Sequence, residues 1–302
     1  MAGSARTSAL RVTTRNATFQ RWQSLLANRN KRQRAGEFLV QGVRPITQAV
    51  QQGWKMRALL HDGRPSPSPW AADLWATLPT DRFLVAPELM QELGEKSDGA
   101  PELLAIVEMP PDDLRRIPWT PNVLATVFDR PSSPGNIGTL IRSVDAFGGS
   151  GLLITGHAAD PYDPKCVRAS TGSFFSVPVV RAPSHREIMA WVDEQRAQDL
   201  PIVVIGADEH GQADIREIDF AQPVLLVVGN ETAGMTAAWR ERCDILLSIP
   251  MTGTASSLNA ATAGSITLYE AMRYRMSGSA SGSQPGGSGT HVAAGPSRRP
   301  AG

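Results

Sequence analysis

SIPMTGTASSLNAATAGSITLYEAMR, Ser248 to Arg273, is the stretch on which the fold turns. Ile245, Leu246, Leu247 and Ile249 make a short apolar run, a buried strand that stops at Pro250. Thr252, Gly253, Thr254, Ala255, Ser256 and Ser257 follow as a loop of small uncharged residues. Short side chains leave backbone N–H and C=O groups open to a ligand. The Ala-rich helix that starts near Leu258–Asn259 adds an N-terminus favouring electron-rich groups. Strand, bare loop and helix start together describe the crevice at the carboxyl end of an α/β sheet, where small molecules bind.

Outward from this stretch, strands and helices alternate. Ile202–Ile205 and Val224–Val228 are apolar along their whole length, and Val123–Phe128 and Leu152–Thr155 nearly so, as parallel strands buried on both faces are. Gly138–Phe147, Pro164–Ala169, His185–Gln195 and Ala237–Cys243 read as helices between them. Residues 121–276 therefore form one α/β domain. Residues 111–120, with Pro111 and Pro118, read as a linker. Before it, 17–110 alternates on a smaller scale and reads as a small α/β sandwich. That segment starts with a helix over 17–34, with Phe19, Trp22, Leu25 and Leu26 on one face. Residues 1–16 read as a disordered basic arm, and the Gly/Ser/Pro-rich 277–302 as a disordered tail.

Charge is unevenly placed. The net charge is +1, yet residues 1–34 hold eight basic residues and no acidic one, leaving 22 basic against 29 acidic elsewhere. A basic segment on an acidic body suits a phosphate-rich partner, with Arg29, Lys31, Arg32 and Arg34 the candidate contacts; a solubilising tail is the plainer reading. Arg168 is a further candidate within VRASTGSFFSVPV, a stretch that otherwise reads as tight packing. Two cysteines and five histidines make neither a disulfide framework nor a metal set. No apolar run is long enough to cross a membrane, and the N-terminus lacks the apolar segment of a secretory signal, so a cytoplasmic, metal-free protein is expected.

Two more strand ends resemble the first. In DRPSSPGNIGTLIRSVDAFGG, Asp129 to Gly149, a strand turns into a helix at Gly135, Asn136 and Gly138, and Arg142 lies six residues past Asn136. Arg suits two-pronged phosphate contact, whereas a cap at Asn136 and a surface charge at Arg142 would be purely structural. In VVGNETAGM, Val227 to Met235, Gly229 after the strand permits close approach of a ligand. Glu231 is placed to orient an Arg or accept from a hydroxyl, or simply to start a helix. The fingerprint GxGxxG is absent, which argues against a dinucleotide oxidoreductase.

NIGTLIR at 136–142, VVGNETAG at 227–234 and IPMTGTASSLNAATAGSITLYEAM at 249–272, in that order, resemble the three signature motifs of the SpoU–TrmH family of RNA ribose 2′-O-methyltransferases. EFLVQGVRPITQAV at 37–50 resembles, less specifically, the ribosomal-protein-like RNA-binding domain that often precedes them. The resemblance implies a parallel sheet with a deep trefoil knot, S-adenosylmethionine as methyl donor, no metal, and a homodimer. Carried over, Gly206, Ala207, Val228, Gly229, Asn230, Ile249, Met251, Ser257 and Leu258 would hold the donor. Asn136, Arg142, Glu231, Ser257 and Asn259 would form the catalytic region. A guanidinium is effectively always charged, so Arg142 suits phosphate anchoring better than proton removal. The expected substrate is structured RNA, taken as a uridine of 23S rRNA, with resistance to a ribosome-targeting antibiotic of the avilamycin type. The motifs are equally compatible with transfer RNA. A non-catalytic RNA-binding protein and a base methyltransferase of the wider knotted superfamily remain as alternatives.

Overall fold

The computed structural model describes residues 9–95 and 99–281. The first unit contains β1 (Leu10–Val12), α1 (Ala17–Ala27), α2 (Arg29–Ala35), β2 (Glu37–Gln41), α3 (Val43–Gln51), β3 (Met56–His61), α4 (Pro69–Thr77), β4 (Asp81–Val85), α5 (Pro87–Gly94) and β5 (Leu103–Glu108). Its mixed sheet has the order β1-β4-β3-β5-β2. The second unit follows with β6 (Leu124–Asp129), α6 (Pro134–Ala146), β7 (Gly151–Thr155), α7 (Pro164–Ala169), β8 (Val179–Ala182), α8 (His185–Ala197), β9 (Val203–Ala207), β10 (Ala213–Asp214), β11 (Val224–Val228), α9 (Ala237–Arg240), β12 (Ile245–Ser248) and α10 (Ala260–Ser281). Its strands form a seven-stranded parallel sheet ordered β10-β12-β9-β11-β6-β7-β8.

The all-apolar strands lie where that composition demands. Val224–Val228 is buried throughout, with β9 on one side and β6 on the other. β12, the last strand in the chain, lies inside the sheet between β10 and β9. Because all seven strands point one way, the segments leaving β6, β7, β9, β11 and β12 emerge at one edge.

Several sequence expectations give way. The helix expected over 17–34 is two helices. The Asn28 side chain accepts from Lys31 N at 3.1 Å and caps α2, while its own extended backbone ends α1. A capping Asn offers the backbone a better partner than continued helix does. The expected disordered arm contains β1, paired with β4 from Leu10 opposite Phe83 to Val12 opposite Val85; residues 1–8 lie outside the described residues. β8, Val179–Ala182, where no strand was expected, closes the sheet beyond β7. The segment read as a linker is anchored: Ile117 is buried, and Arg116 Nη1 donates to Val179 O at 2.9 Å. At the C-terminus α10 continues to Ser281, past the expected start of the tail, and 282–302 lie outside the described residues.

The two units share a core. Phe38 of the first packs edge-on against Tyr162 and Phe174 of the second, with centroids 5.0 and 5.8 Å apart, and stacks on Phe175, while Trp54 meets Phe175 edge-on at 5.1 Å. Trp54 Nε1 also donates to Phe175 O at 2.9 Å.

Candidate functional site

A cleft of about 180 Å³ opens at the carboxyl edge, where β9, β11 and β12 end. Ala207, Val228, Gly229, Asn230, Glu231, Ile249, Met251, Ser257 and Leu258 line it, so three segments far apart in the chain meet around one space. Ile249, Leu247, Leu258 and Met235 give it apolar walls, and the strand ends supply peptide groups. Apolar walls interrupted by a few polar groups fit a nucleoside with a charged tail, such as S-adenosylmethionine. No group of three or more His, Cys, Asp or Glu able to hold a metal occurs among the described residues, and no described helix is long and apolar enough to cross a membrane.

Glu231 organises the rim. Its carboxylate accepts from Ser132 N and Ser132 Oγ, both at 2.9 Å, from Ser133 N at 3.1 Å and from Asn136 Nδ2 at 3.0 Å. Partial burial pushes the carboxyl upward, but these donors together outweigh it and hold the group below its ordinary range. Asn136 is not the helix cap; Ser133 is, accepting from Asn136 N at 3.3 Å. The Asn136 amide is thereby free to reach Glu231, and its Oδ1 accepts from Asn259 Nδ2 at 3.4 Å. Asn259 in turn caps α10, accepting from Ala261 N and Thr262 N. Glu231, Asn136 and Asn259 thus form one hydrogen-bonded chain linking the ends of β6, β11 and β12.

Asn230 folds the loop behind Glu231. Its Oδ1 accepts from Thr232 N and Ala233 N, and its Nδ2 donates to Arg130 O at 2.7 Å. The backbones of Asn230 and Gly234 exchange two bonds of 3.0 Å. This tight return brings 234–235 against Gly229, where a Cβ would lie 2.3 Å from Met235 N. The side of Gly229 that a Cβ would occupy is therefore filled by the chain itself, while its backbone lines the cleft.

Three expected assignments part from the structure. Gly206 does not line the cleft; a Cβ there would meet Met235, Cys243 and Leu246. Arg142 is exposed on α6 and does not line the cleft either. Six residues past Asn136 is about 9 Å along the helix and roughly 120° away in direction. Arg32 is 2% exposed and cannot touch RNA. It donates to Leu25 O and Leu26 O and pairs with Asp160 at 2.7 Å. Among the other basic candidates, Lys31 and Arg34 are exposed, Arg29 donates to Ala158 O at 2.6 Å, and Arg168 pairs with Glu95 at 3.0 Å.

Sequence reasoning missed Ser132 and Ser133, because serine in a turn carries no distinctive signal. It also missed Asp208 and Arg240, both cleft-lining, which form an ion pair at 2.8 Å. Asp208 directly follows a strand end, which is the one signal that would have pointed to it.

Comparisons with known proteins fit this geometry. Residues 16–105 match the SpoU L30e-like domain and residues 124–269 the SpoU rRNA methylase family. The 23S rRNA (uridine(2479)-2′-O)-methyltransferase of Streptomyces viridochromogenes is 59% identical over 271 residues, which span 90% of this chain and 94% of that protein. The crystal structure of the SpoU methyltransferase AviRb from that organism, in complex with AdoMet, matches with a TM-score of 0.84 at 59% identity, over 87% of this chain and 99% of that one. The 23S rRNA (guanosine(2553)-2′-O)-methyltransferase RlmP of Bacillus subtilis is 30% identical over 84% of this chain and 96% of its own. This chain belongs to the SpoU rRNA methylase family.

Proposed function

We propose that the chain is an S-adenosylmethionine-dependent RNA ribose 2′-O-methyltransferase acting on a uridine of 23S rRNA. The observation that carries this reading is the Glu231–Asn136–Asn259 chain at the mouth of a cleft built from three strand ends. The likeness to a uridine-specific 23S rRNA enzyme over nearly the whole chain supports the choice of RNA and base. Protection against an avilamycin-type antibiotic and a cytoplasmic location belong to the same reading.

When bound, S-adenosylmethionine supplies an electrophilic methyl group on a sulfonium. Ala207, Val228, Gly229, Ile249, Met251, Ser257 and Leu258 would hold it, largely through backbone and apolar contact. Glu231 is ionised and saturated with donors, so it is a poor base. Its part is to fix the Asn136 amide. Asn136 and Asn259 are then preorganised beside the entering ribose and hold the 2′ oxygen in line; as the oxygen takes the methyl group its proton passes to solvent water, and the donor leaves as neutral S-adenosylhomocysteine. Arg142, always charged, anchors a phosphate of the RNA.

The homodimer also belongs here. Arg142 is exposed and does not line the cleft of its own chain, and a two-fold pairing of identical surfaces offers it the cleft of the other. The threaded C-terminal segment is supported by the placement of β12, last in sequence, inside the sheet.

The test is purified protein, labelled donor and total bacterial RNA, followed by mapping of 2′-O-methylation. One new 2′-O-methyluridine in 23S rRNA is expected. Label in transfer RNA, label on a base, or RNA binding without transfer would each replace this reading by the corresponding alternative.

A further inference from the structure

The basic helix α2 is bolted to the same sheet edge as the cleft. The segment 156–163 leaves β7 at that edge. Arg29 Nη1 donates to Ala158 O at 2.6 Å, and Arg32, fully enclosed, donates through Nε to Asp160 Oδ2 at 2.8 Å. Asp163 lies 3.8 Å from the same guanidinium. The next link runs toward the cleft. Ala159 N donates to Pro131 O at 2.7 Å, and the neighbouring Ser132 N donates to Glu231 Oε2 at 2.9 Å. From α2 to the Glu231 carboxylate the path crosses only two short loops, about 20 Å by standard bond and Cα steps.

Lys31 and Arg34, three residues apart, share one face of α2, roughly 100° or more from Arg32. Both are exposed, as is Lys165 one residue after Pro164 at the start of α7, two residues beyond Asp163. None of the three pairs with a carboxylate among the described residues.

We propose that RNA flanking the methylated nucleotide leaves the cleft over the 156–163 loop and lies on α2. Lys31, Arg34 and Lys165 take its phosphates, and Arg32 is a positioning residue that sets the distance between them and the cleft. This rests on the functional reading above and deepens it. Phosphate contacts fix register on the RNA without reading its sequence. A buried ion pair at the join makes that register rigid.

The experiment measures RNA binding against salt for the full chain, using the 23S rRNA fragment methylated by the wild type. The triple variant Lys31→Ala, Arg34→Ala, Lys165→Ala is expected to flatten the plot of log affinity against log salt by roughly two to three units, at 0.7 to 0.9 per phosphate. Methyl-donor affinity and thermal midpoint should stay unchanged. Asp160→Asn loosens the lock without removing a phosphate contact. It should raise KM for RNA, hold kcat, and leave the salt slope as in the wild type. An unchanged slope in the triple variant overturns the path. A fall in kcat and donor affinity with Asp160→Asn overturns the positioning role. A wild type that moves no methyl group to RNA sinks the functional reading as well, whereas an active wild type with an indifferent triple variant sinks this one alone.

Discussion

Asn136 Nδ2 donates to Glu231 Oε1 at 3.0 Å, tying the first turn of α6 to the loop after β11. The bond joins two motifs 95 residues apart. Every donor around Glu231 needs an acceptor, and the carboxylate supplies both oxygens. Glu231→Gln replaces one oxygen with an NH₂ that faces the N–H groups of Ser132 or Ser133. The loop must shift to relieve this, and a shift near 1 Å costs about 100-fold in turnover. Steady-state methyl transfer checks it; turnover within threefold of wild type would show that the carboxylate is dispensable.

The same carboxylate makes a statement about pH. Its folded-state pKa lies below the ordinary value, so its contribution to stability is complete above that value and is lost as pH falls through the folded one. Between pH 6 and 9 Glu231 stays ionised, and the pH profile of kcat should carry no limb from it. Comparing profiles of wild type and Glu231→Gln tests this: scaled to a common maximum, the two should superimpose.

Gly229 and Gly206 should respond differently to alanine. At Gly229 the new Cβ meets backbone, 2.3 Å from Met235 N and 2.4 Å from Gly234 C. At Gly206 it meets movable ends, Met235 Cε at 2.6 Å and Cys243 Sγ at 2.8 Å. Gly229→Ala should cost about 3 kcal/mol or more and abolish donor binding, because the return of 234–235 forms the cleft wall; Gly206→Ala should stay near the low end of overpacking, about 1 kcal/mol. Denaturation midpoints and donor titration measure both, and equal costs would contradict the close backbone approach at Gly229.

How much of this was legible in the sequence depends on whether a residue's neighbours are near in the chain. Val224–Val228 announced itself because a strand buried on both faces has no polar position to blur it. The three strand-end segments were visible for the same reason, each being a buried strand followed by small polar residues. Asn28 was not read as a break, because an Asn amid Arg and Lys is unremarkable until its amide finds Lys31 N. Arg32 looked like its neighbours Lys31 and Arg34. Only Asp160, 128 residues on, removes it from the surface. Gly229 was seen as special, but the sequence could not say that the chain itself fills the side its Cβ would occupy. Arg142 was grouped with the cleft by motif, and helix geometry places it elsewhere.

Arg32 also yields a stability prediction. Its guanidinium and the Asp160 carboxylate are 2% and 4% exposed. Arg32→Met leaves Asp160 buried without its partner and frees the carbonyls of Leu25 and Leu26, which should cost about 3 to 5 kcal/mol. Replacing both charges, Arg32→Met with Asp160→Leu, should recover most of that loss, since an apolar pair of similar volume avoids desolvation. Urea midpoints of the two variants provide the check. A double variant no better than the single would mean the carbonyl bonds, rather than the ion pair, hold the join.

Complementation between two inactive chains assigns Arg142 to one subunit's cleft. If Arg142 serves the cleft of the partner subunit, two inactive chains can repair each other. An Asn136→Ala chain keeps a working Arg142, and an Arg142→Ala chain keeps a working cleft. In their heterodimer one site carries both defects and the other carries none, so about half of wild-type activity should return on co-expression. Were Arg142 to act on its own chain, each site would hold one defect and the mixture would stay as inactive as its parents. Differentially tagged chains, purified through both tags and assayed for methyl transfer, separate the two cases, and size measurement of the untagged chain shows at once whether a dimer forms.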